Sequence, residues 1–181
     1  MLEGKLVRLR AREPEDLERN LRWMNDREVR QFLLEVRYPV SRLDEQKWME
    51  ENQTSSFQHV RLAIETREGQ HIGNIDLGPA SPEHRRAPLG IMIGEKEHWG
   101  RGYGTDAIRT LLRFAFREMN LNRVWLTTDE NNARALGCYR KCGFREEGRL
   151  RQDRYLEGRY CDTIVMGVLR EEFEATEEET S

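Results

Sequence analysis

The chain has 181 residues, a length typical of one domain that buries its own core without disulfides or a structural metal. Charged residues make up 35% of it and the hydrophobic set 37%, and both signs are mixed, so the net charge is only -3. This balance argues against binding to nucleic acid or to an anionic membrane through bulk charge. We also find no apolar run near the ~20 residues of a membrane helix and no signal peptide at the N-terminus, so we expect a cytoplasmic protein.

The cysteines do not form a recognisable metal motif. Cys138 and Cys142 are four residues apart, which places both on one face of a helix. A zinc site needs further ligands, and none of the four histidines has ligand spacing. We therefore predict small buried thiols and no metal.

The first half of the chain predicts one strand, then two or three helices, then a meander. Residues 5–11 alternate apolar and polar, as in a half-buried strand, and Pro14 with acidic neighbours opens a helix. Asp26 is a candidate cap for a short second helix, and Ser41 with Asp44 forms a capping-box signal for another. From residue 57 to 95 the period changes to two, which predicts antiparallel strands.

The second half predicts helices and strands in alternation. Helical periodicity follows Thr105, and residues 123–129 resemble a strand. A second short helix is capped by Asn131 or Asn132, and two alternating segments joined at Glu157 predict a hairpin.

The C-terminal end of the chain has no core pattern. Residues 174–181 are acidic, and we expect them to be disordered. Since the chain shows no repeat and no linker, we predict one domain over residues 1–173.

Three alternating glycines, Gly100, Gly102 and Gly104, lie between a predicted buried strand and the helix that follows Thr105. Free backbone N–H groups and the positive end of the helix dipole converge there, and glycine lets the backbone approach a ligand closely. The pattern therefore predicts a phosphate-binding loop.

Spacing excludes two common phosphate loops. A dinucleotide fingerprint would need glycine where Thr105 stands, and no ribose-binding acid follows. A nucleotide triphosphate loop needs a lysine followed by Ser or Thr, which this stretch lacks.

The loop and a downstream segment together resemble the GNAT acyltransferase superfamily, specifically its RimJ/RimL-like, SpeG-related branch. The superfamily loop has the pattern Q/R-x-x-G-x-G/A, and here Trp99 stands where it has Gln or Arg. The segment "ENNARALGCYRKCGF" resembles the branch signature N-x-x-A-x-x-x-Y-x-K-x-G-F at Asn132, Ala135, Tyr139, Lys141, Gly143 and Phe144. The matches span residues 89–173, and their combination is far more specific than the glycines alone.

The resemblance implies an α+β fold with a mixed, mostly antiparallel sheet of about seven strands flanked by about four helices. Its fourth and fifth strands, near 88–94 and 123–129, are expected to splay apart and admit the pantetheine arm of acetyl-CoA, the implied co-substrate. The arm would pair with the backbone of Ile91, Met92 and Ile93 like an added strand. Main-chain N–H groups there could also stabilise an oxyanion.

The resemblance also implies which other side chains bind the cofactor. Asn132 would bond the pantetheine, although helix capping explains it equally well. Arg101 could meet a phosphate or be solvated, and Trp99 and Tyr103 could pack under the loop instead of touching the cofactor. The loop residues assigned to cofactor binding are Trp99, Gly100, Arg101, Gly102, Tyr103, Gly104 and Thr105.

The catalytic roles come from the family resemblance and from position near the predicted cleft. The resemblance makes Tyr139 the general acid that protonates the leaving thiolate, whereas periodicity alone would make it a core residue. Glu95 and Asp76 are candidate bases, and Glu35 and Tyr38 are candidate acceptor-site residues, because each lies near the predicted mouth of the cleft. In a chain with 33 acidic residues, any one of these carboxylates could equally be a solvated charge.

These residues predict an acetyl-CoA-dependent N-acetyltransferase in which an amine attacks the thioester directly. The acceptor is a protein N-terminal α-amine or a small-molecule amine, and a polyamine acetyltransferase of SpeG type is the alternative. A buried carboxylate in the cleft would favour polyamines or aminoglycosides. A non-catalytic acyl-CoA-binding module is the alternative of another class. The resemblance further implies a possible homodimer.

Overall fold

The strands of the protein lie in a single mixed sheet. The computed structural model describes residues 1–33, 38–52 and 55–178. Within these ranges the strands are β1 (Leu2–Glu3), β2 (Val7–Ala11), β3 (Val60–Thr66), β4 (His71–Leu77), β5 (Arg86–Ile93), β6 (Arg123–Asp129), β7 (Arg145–Leu156) and β8 (Arg159–Leu169). Their order in the sheet is β1-β2-β3-β4-β5-β6-β8-β7, and every neighbouring pair except β5 and β6 is antiparallel.

The helices flank this sheet and follow the predicted order. They are α1 (Leu17–Asn25), α2 (Arg27–Arg30), α3 (Arg42–Asn52), α4 (Tyr103–Arg117), α5 (Ala133–Lys141) and α6 (Arg170–Glu178). The predicted caps are present, since Asp26 accepts from the Glu28 N–H at 2.9 Å and the Ser41 hydroxyl accepts from the Asp44 N–H at 3.1 Å. The expected fold class is confirmed, with a two-residue β1 and the short α2 and α6 accounting for the additional elements.

β5 and β6 run parallel and separate after a short paired stretch. Pairing is confined to Arg86–Arg123, Ala87–Val124 and Pro88–Trp125. Beyond Pro88 the two strands diverge, which confirms the predicted splay. In the numbering used here the expected fourth and fifth strands are β5 and β6, because β1 precedes them.

The core lies mainly between the sheet and α4. The apolar face predicted for this helix is buried, with Ile108, Leu111, Leu112 and Ala115 inaccessible to solvent. The helix begins at Tyr103, two residues before the predicted start, because Gly102 adopts a φ of 90° and serves as its N-cap.

The expectation of a disordered tail from residue 174 is wrong as far as Glu178, where α6 ends. The helix is held by Phe173, which is buried and packs on Phe116 with ring centroids 5.5 Å apart. Arg113 of α4 also pairs with Glu177 at 3.1 Å. Residues 179–181 lie outside the described residues.

All three cysteines are free thiols: Cys142 and Cys161 are buried and Cys138 is half-buried. None of the helices in the described ranges combines the length and the apolar character that a membrane crossing requires.

Candidate active site

The divergence of β5 and β6 opens a cavity of about 750 Å³. Its walls are the two strands, the glycine loop before α4, the first turn of α4, the length of α5, and side chains from α1, α2 and the segment after α2. Because a sheet is interrupted here, backbone groups that would bond a neighbouring strand face the cavity instead.

The hydrogen-bond pattern shows which residues of β5 face this gap. The Gly94 N–H donates to the Ile72 carbonyl at 2.8 Å and the Gly78 N–H donates to the Pro88 carbonyl at 2.9 Å, so the even-numbered residues bond β4. In an antiparallel pair the alternate residues turn their N–H and C=O groups to the other side. Ile91 and Ile93 therefore present backbone groups to the gap, as a strand-like pantetheine arm requires.

The glycine loop bends around the N-terminus of α4. Gly100 and Gly102 have φ values of 73° and 90°, which other residues adopt only with strain. Gly104 is in the first turn of the helix, where a Cβ would meet only ordinary contacts at 3.7 Å or more. The first N–H groups of a helix have no intrahelical acceptor. This end of the cavity therefore offers donors to a phosphate.

The structure brings most of the predicted cofactor residues together. Two of them, Arg101 and Tyr103, are outside the cavity lining: Arg101 is exposed, and Tyr103 packs edge-on against His98 at 4.9 Å. The predicted residues that line the cavity are Ile91, Met92, Ile93, Trp99, Gly100, Gly102, Gly104, Thr105, Asn132 and Tyr139.

Asn132 and Tyr139 reach the cavity from opposite ends of α5. The Asn132 side chain caps the helix by accepting from the Ala135 N–H at 3.2 Å, so its capping role is real and its amide also lines the cavity. Tyr139 is 8% exposed and packs on Phe144. Its hydroxyl has no hydrogen-bond partner among the described residues, and burial raises the pKa of the phenol, so it stays protonated near neutral pH.

Cys138, the neighbour of Tyr139, also lines the cavity. Its sulfur lies 3.3 Å from the Thr105 hydroxyl, and the hydrogen bond with Cys142 is the main cause that lowers the pKa of the Cys138 thiol to about 7. The sequence shows no His or acid spaced to activate this thiol. The neighbouring groups are the Thr105 hydroxyl of α4 and the Cys142 thiol four residues further along the chain.

A second, smaller cavity of about 190 Å³ also adjoins β5. It shares Gly90, Ile91 and Met92 with the large cavity and is lined by two carboxylates, Glu45 and Asp76. An amine bound there would lie next to the strand that faces the thioester arm.

The carboxylates of the small cavity have different environments. Asp76 is 42% exposed at its side chain and pairs with the buried Arg12 at 2.5 Å. Glu45 is 5% exposed, and its carboxylate has no hydrogen-bond partner among the described residues. Burial raises the pKa of both carboxyl groups, and the charge of Arg12 partly opposes this. A cationic ligand would favour their ionised forms.

Glu95 and Tyr38, two of the other predicted residues, lie outside both cavity linings. Glu95 lines neither of them and is paired with Arg22 instead. Tyr38 is 81% exposed and contributes to neither lining. Glu35 lies outside the described residues.

Sequence reasoning missed two residues of the cleft. Glu45 is four residues before the buried Met49 and so shares the inward face of α3, which was the available signal. Arg134 lines the large cavity and has its guanidinium 3.7 Å from the centre of the Trp99 ring. No local pattern marks Arg134, because its partner lies in another loop.

Known proteins resemble most of this chain. The family described as acetyltransferase (GNAT) domain matches residues 7–145. A spermidine N(1)-acetyltransferase of Vibrio cholerae is 29% identical over 91% of this chain and 94% of its own length. A putative ribosomal N-acetyltransferase of Bacillus subtilis is 34% identical over 59% of this chain and 58% of its own. The crystal structure of spermidine N-acetyltransferase from Vibrio cholerae in complex with CoA and spermine superposes with a TM-score of 0.86 and 27% identity, covering 94% of this chain and 99% of the other.

Proposed function

The chain belongs to the acetyltransferase (GNAT) family, and we propose that it acetylates a primary amine of a polyamine such as spermidine. Acetyl-CoA supplies the acetyl group as an activated thioester. The observation that carries the choice of acceptor is the small cavity beside β5, where Glu45 and Asp76 contribute two carboxylates against the single cation Arg12. The spermidine acetyltransferase relatives, which align over nearly the whole chain, support the same acceptor.

The cost of deprotonating the acceptor makes a nearby base important. An alkyl amine with a pKa of ~10.4 costs about 4.6 kcal/mol to deprotonate at pH 7, whereas a peptide α-amine near 7.7 costs about 1 kcal/mol. Asp76 is opposite Gly90 in the register of β4 and β5, next to Ile91. Desolvation raises the pKa of its carboxyl group and Arg12 partly opposes this, so the group is a stronger base than a fully solvated aspartate. We therefore assign Asp76, rather than Glu95, as the base.

The remaining groups of the site would support a direct transfer. As the amine attacks, N–H groups of Ile91 and Ile93 would hydrogen-bond the oxygen of the thioester carbonyl. Asp76 would accept one proton from the ammonium form before the attack. Tyr139 would then donate its phenolic proton to the departing sulfur, and the proton that the nitrogen loses as the amide forms would restore the phenol. Direct attack leaves no covalent enzyme intermediate. Trapping of an acetylated Cys138 would contradict it, since that thiol lines the cavity.

A protein N-terminal α-amine, as in the RimJ/RimL type, is the second candidate acceptor. It is favoured by the 34% identity to the putative ribosomal N-acetyltransferase, although that alignment covers 59% of this chain. An α-amine is deprotonated at little cost near neutral pH, so this acceptor would not explain why Glu45 and Asp76 line the small cavity. The expected homodimer stays a prediction.

The decisive test measures CoA release from acetyl-CoA by thiol detection with spermidine, spermine, peptide N-termini and aminoglycosides as acceptors. We expect polyamines to give the highest kcat/KM. Glu45→Gln should raise the KM for spermidine about tenfold, because a charge-assisted contact is lost, and should leave CoA affinity unchanged. Glu50→Gln, an exposed change on the same helix, is the control and should have no effect. Preference for peptide amines, with Glu45→Gln neutral, would establish the second candidate.

A further inference from the structure

Arg12 brings a buried positive charge into the small cavity beside β5. It follows the last residue of β2, and its side chain reaches past β3 to Asp76 on β4. Only 3% of the side chain is exposed. Its guanidinium carbon lies 5.3 Å from the centre of the Trp48 ring, a distance at which cation–π attraction operates. The indole and the ion pair therefore hold this charge at the cavity wall.

The ion pair between Arg12 and Asp76 uses one oxygen of the carboxylate. The Nη2 group of Arg12 donates to Oδ1 of Asp76 at 2.5 Å. The other oxygen, Oδ2, has no hydrogen-bond partner among the described residues. On the arginine, the buried Nε–H also lacks an acceptor within the described ranges. Asp76 is thus fixed in position and keeps one oxygen available for an acceptor amine.

Glu45 is the second carboxylate of this cavity and has no such anchor. Within the described ranges no basic side chain forms an ion pair with it, although it is only 5% exposed. Two carboxylates against one guanidinium leave the cavity one negative charge when all three groups are ionised. Arg61 and His59 also lie near Asp76, but neither lines the cavity. The cavity therefore balances the charge of one ammonium group.

We propose that Arg12 divides the roles of the two carboxylates: it holds Asp76 for the amine that reacts and leaves Glu45 to bind an ammonium group that stays charged. An amine between two unpaired carboxylates would keep its proton more strongly, because negative charges stabilise the ammonium form. The positive charge of Arg12 offsets this effect at Asp76, so the reacting amine is deprotonated at lower cost. Arg12 is therefore a positioning residue that also sets the charge selectivity of the cavity. The proposal rests on the proposed function for its polyamine acceptor.

The test is the Kd of putrescine, measured by calorimetry on the CoA complex, which has no acetyl group to transfer. A buffer of about pH 8 keeps both carboxyl groups ionised when Arg12 is absent. We expect Arg12→Met to bind putrescine about fivefold more tightly or better, because a charge that repels the ligand is removed. With acetyl-CoA and spermidine, the kcat should fall about tenfold or more, because Asp76 is no longer held and the amine keeps its proton. A purely structural role would weaken binding and turnover together.

Further variants separate the charge of Arg12 from its packing. Arg12→Lys keeps the charge and should bind putrescine within about twofold of the wild type. Arg12→Gln is a second uncharged variant, for use if Arg12→Met does not fold, and Arg19→Gln, at an exposed arginine of α1, is the control and should be neutral. An uncharged variant that binds putrescine no more tightly than the wild type would overturn the proposal. A wild-type preference for peptide amines in turnover would instead contradict the polyamine acceptor, so the two failures are distinguishable.

Discussion

Tyr139 combines the two interpretations that its sequence position allows. It is a core residue by burial, packed on Phe144, and it is also a cavity residue whose hydroxyl has no partner among the described residues. A hydroxyl that has no protein partner and lines a cavity can hydrogen-bond a ligand there. The apolar ring thus secures the position of a hydroxyl that is free to donate.

The Tyr139→Phe variant separates these roles. It keeps the ring and its packing, so we expect a free energy of unfolding within about 1 kcal/mol of the wild type, because no protein hydrogen bond is lost. The kcat should fall about 10²-fold or more if the phenol protonates the thiolate. Steady-state kinetics and urea unfolding measure the two quantities. An unchanged kcat would remove Tyr139 from the catalytic residues.

At the scale of elements, the start of α4 is held in place by one carboxylate. Asp106, in the first turn of the helix, accepts hydrogen bonds from the backbone N–H groups of Lys5, Leu6 and Val7 at 3.1, 2.7 and 3.0 Å. The turn between β1 and β2 is thereby joined to the helix whose N-terminus faces the cavity. The position of the end of α4 that faces the cavity therefore depends on a contact with the first residues of the chain.

Replacing Asp106 by Asn should loosen this connection. An amide oxygen is uncharged and cannot satisfy three N–H donors as well, so we expect a loss of about 1.5–3 kcal/mol in the free energy of unfolding. Urea denaturation measures it, with Glu118→Gln at the other end of the helix as the control. A loss below about 0.5 kcal/mol would show that water replaces the carboxylate without cost.

At the scale of the whole molecule, a buried charge network joins the N-terminal strands to the middle of the sheet. Asp16 is 2% exposed. Its two carboxylate oxygens accept hydrogen bonds from the two terminal guanidinium nitrogens of Arg10, each at 2.8 Å, and one of them lies 3.0 Å from the ring of His71 on β4. Glu65 on β3 also accepts from Arg10. Burial by itself raises the pKa of Asp16, but the hydrogen bonds of Arg10 and His71 outweigh it and hold the pKa well below its usual range.

This network predicts how stability depends on pH. The folded pKa of Asp16 is below the unfolded value of ~3.9, so the unfolded state binds more protons in acid. The stabilisation is therefore complete above the unfolded pKa and is lost as the pH falls below about 4. We expect unfolding free energies measured by urea to decline through that range.

The matching variant is Asp16→Asn, which should cost about 3–5 kcal/mol at pH 7 by leaving Arg10 without its main partner. It should also flatten the acid decline. Asp153→Asn, at an exposed carboxylate, should alter neither quantity. If Asp16→Asn loses stability in acid as steeply as the wild type, the decline in unfolding free energy belongs to other carboxylates. If Asp16→Asn does not fold, the milder Glu65→Gln variant tests the same network.

The sequence by itself determined the order of the elements, the glycine loop and a helix cap at Asn131 or Asn132, of which the structure selects Asn132. These depend on short-range effects, namely periodicity, capping hydrogen bonds and the backbone freedom of Gly102, which act within a few residues. The family resemblance added two expectations, namely the splayed strands and the role of Tyr139 as a general acid. Short-range patterns could not foresee α6, because its stability depends on the contact of Phe173 with Phe116.

Only the tertiary structure decided which charges meet in the cleft. Glu45 and Asp76 join the small cavity from different elements, Glu95 turns to Arg22, and Arg134 stacks on Trp99. A sequence with 33 acidic residues does not distinguish a solvated carboxylate from a buried one. The difference arises because burial and pairing depend on contacts between residues tens of positions apart, which are set when the sheet and helices pack.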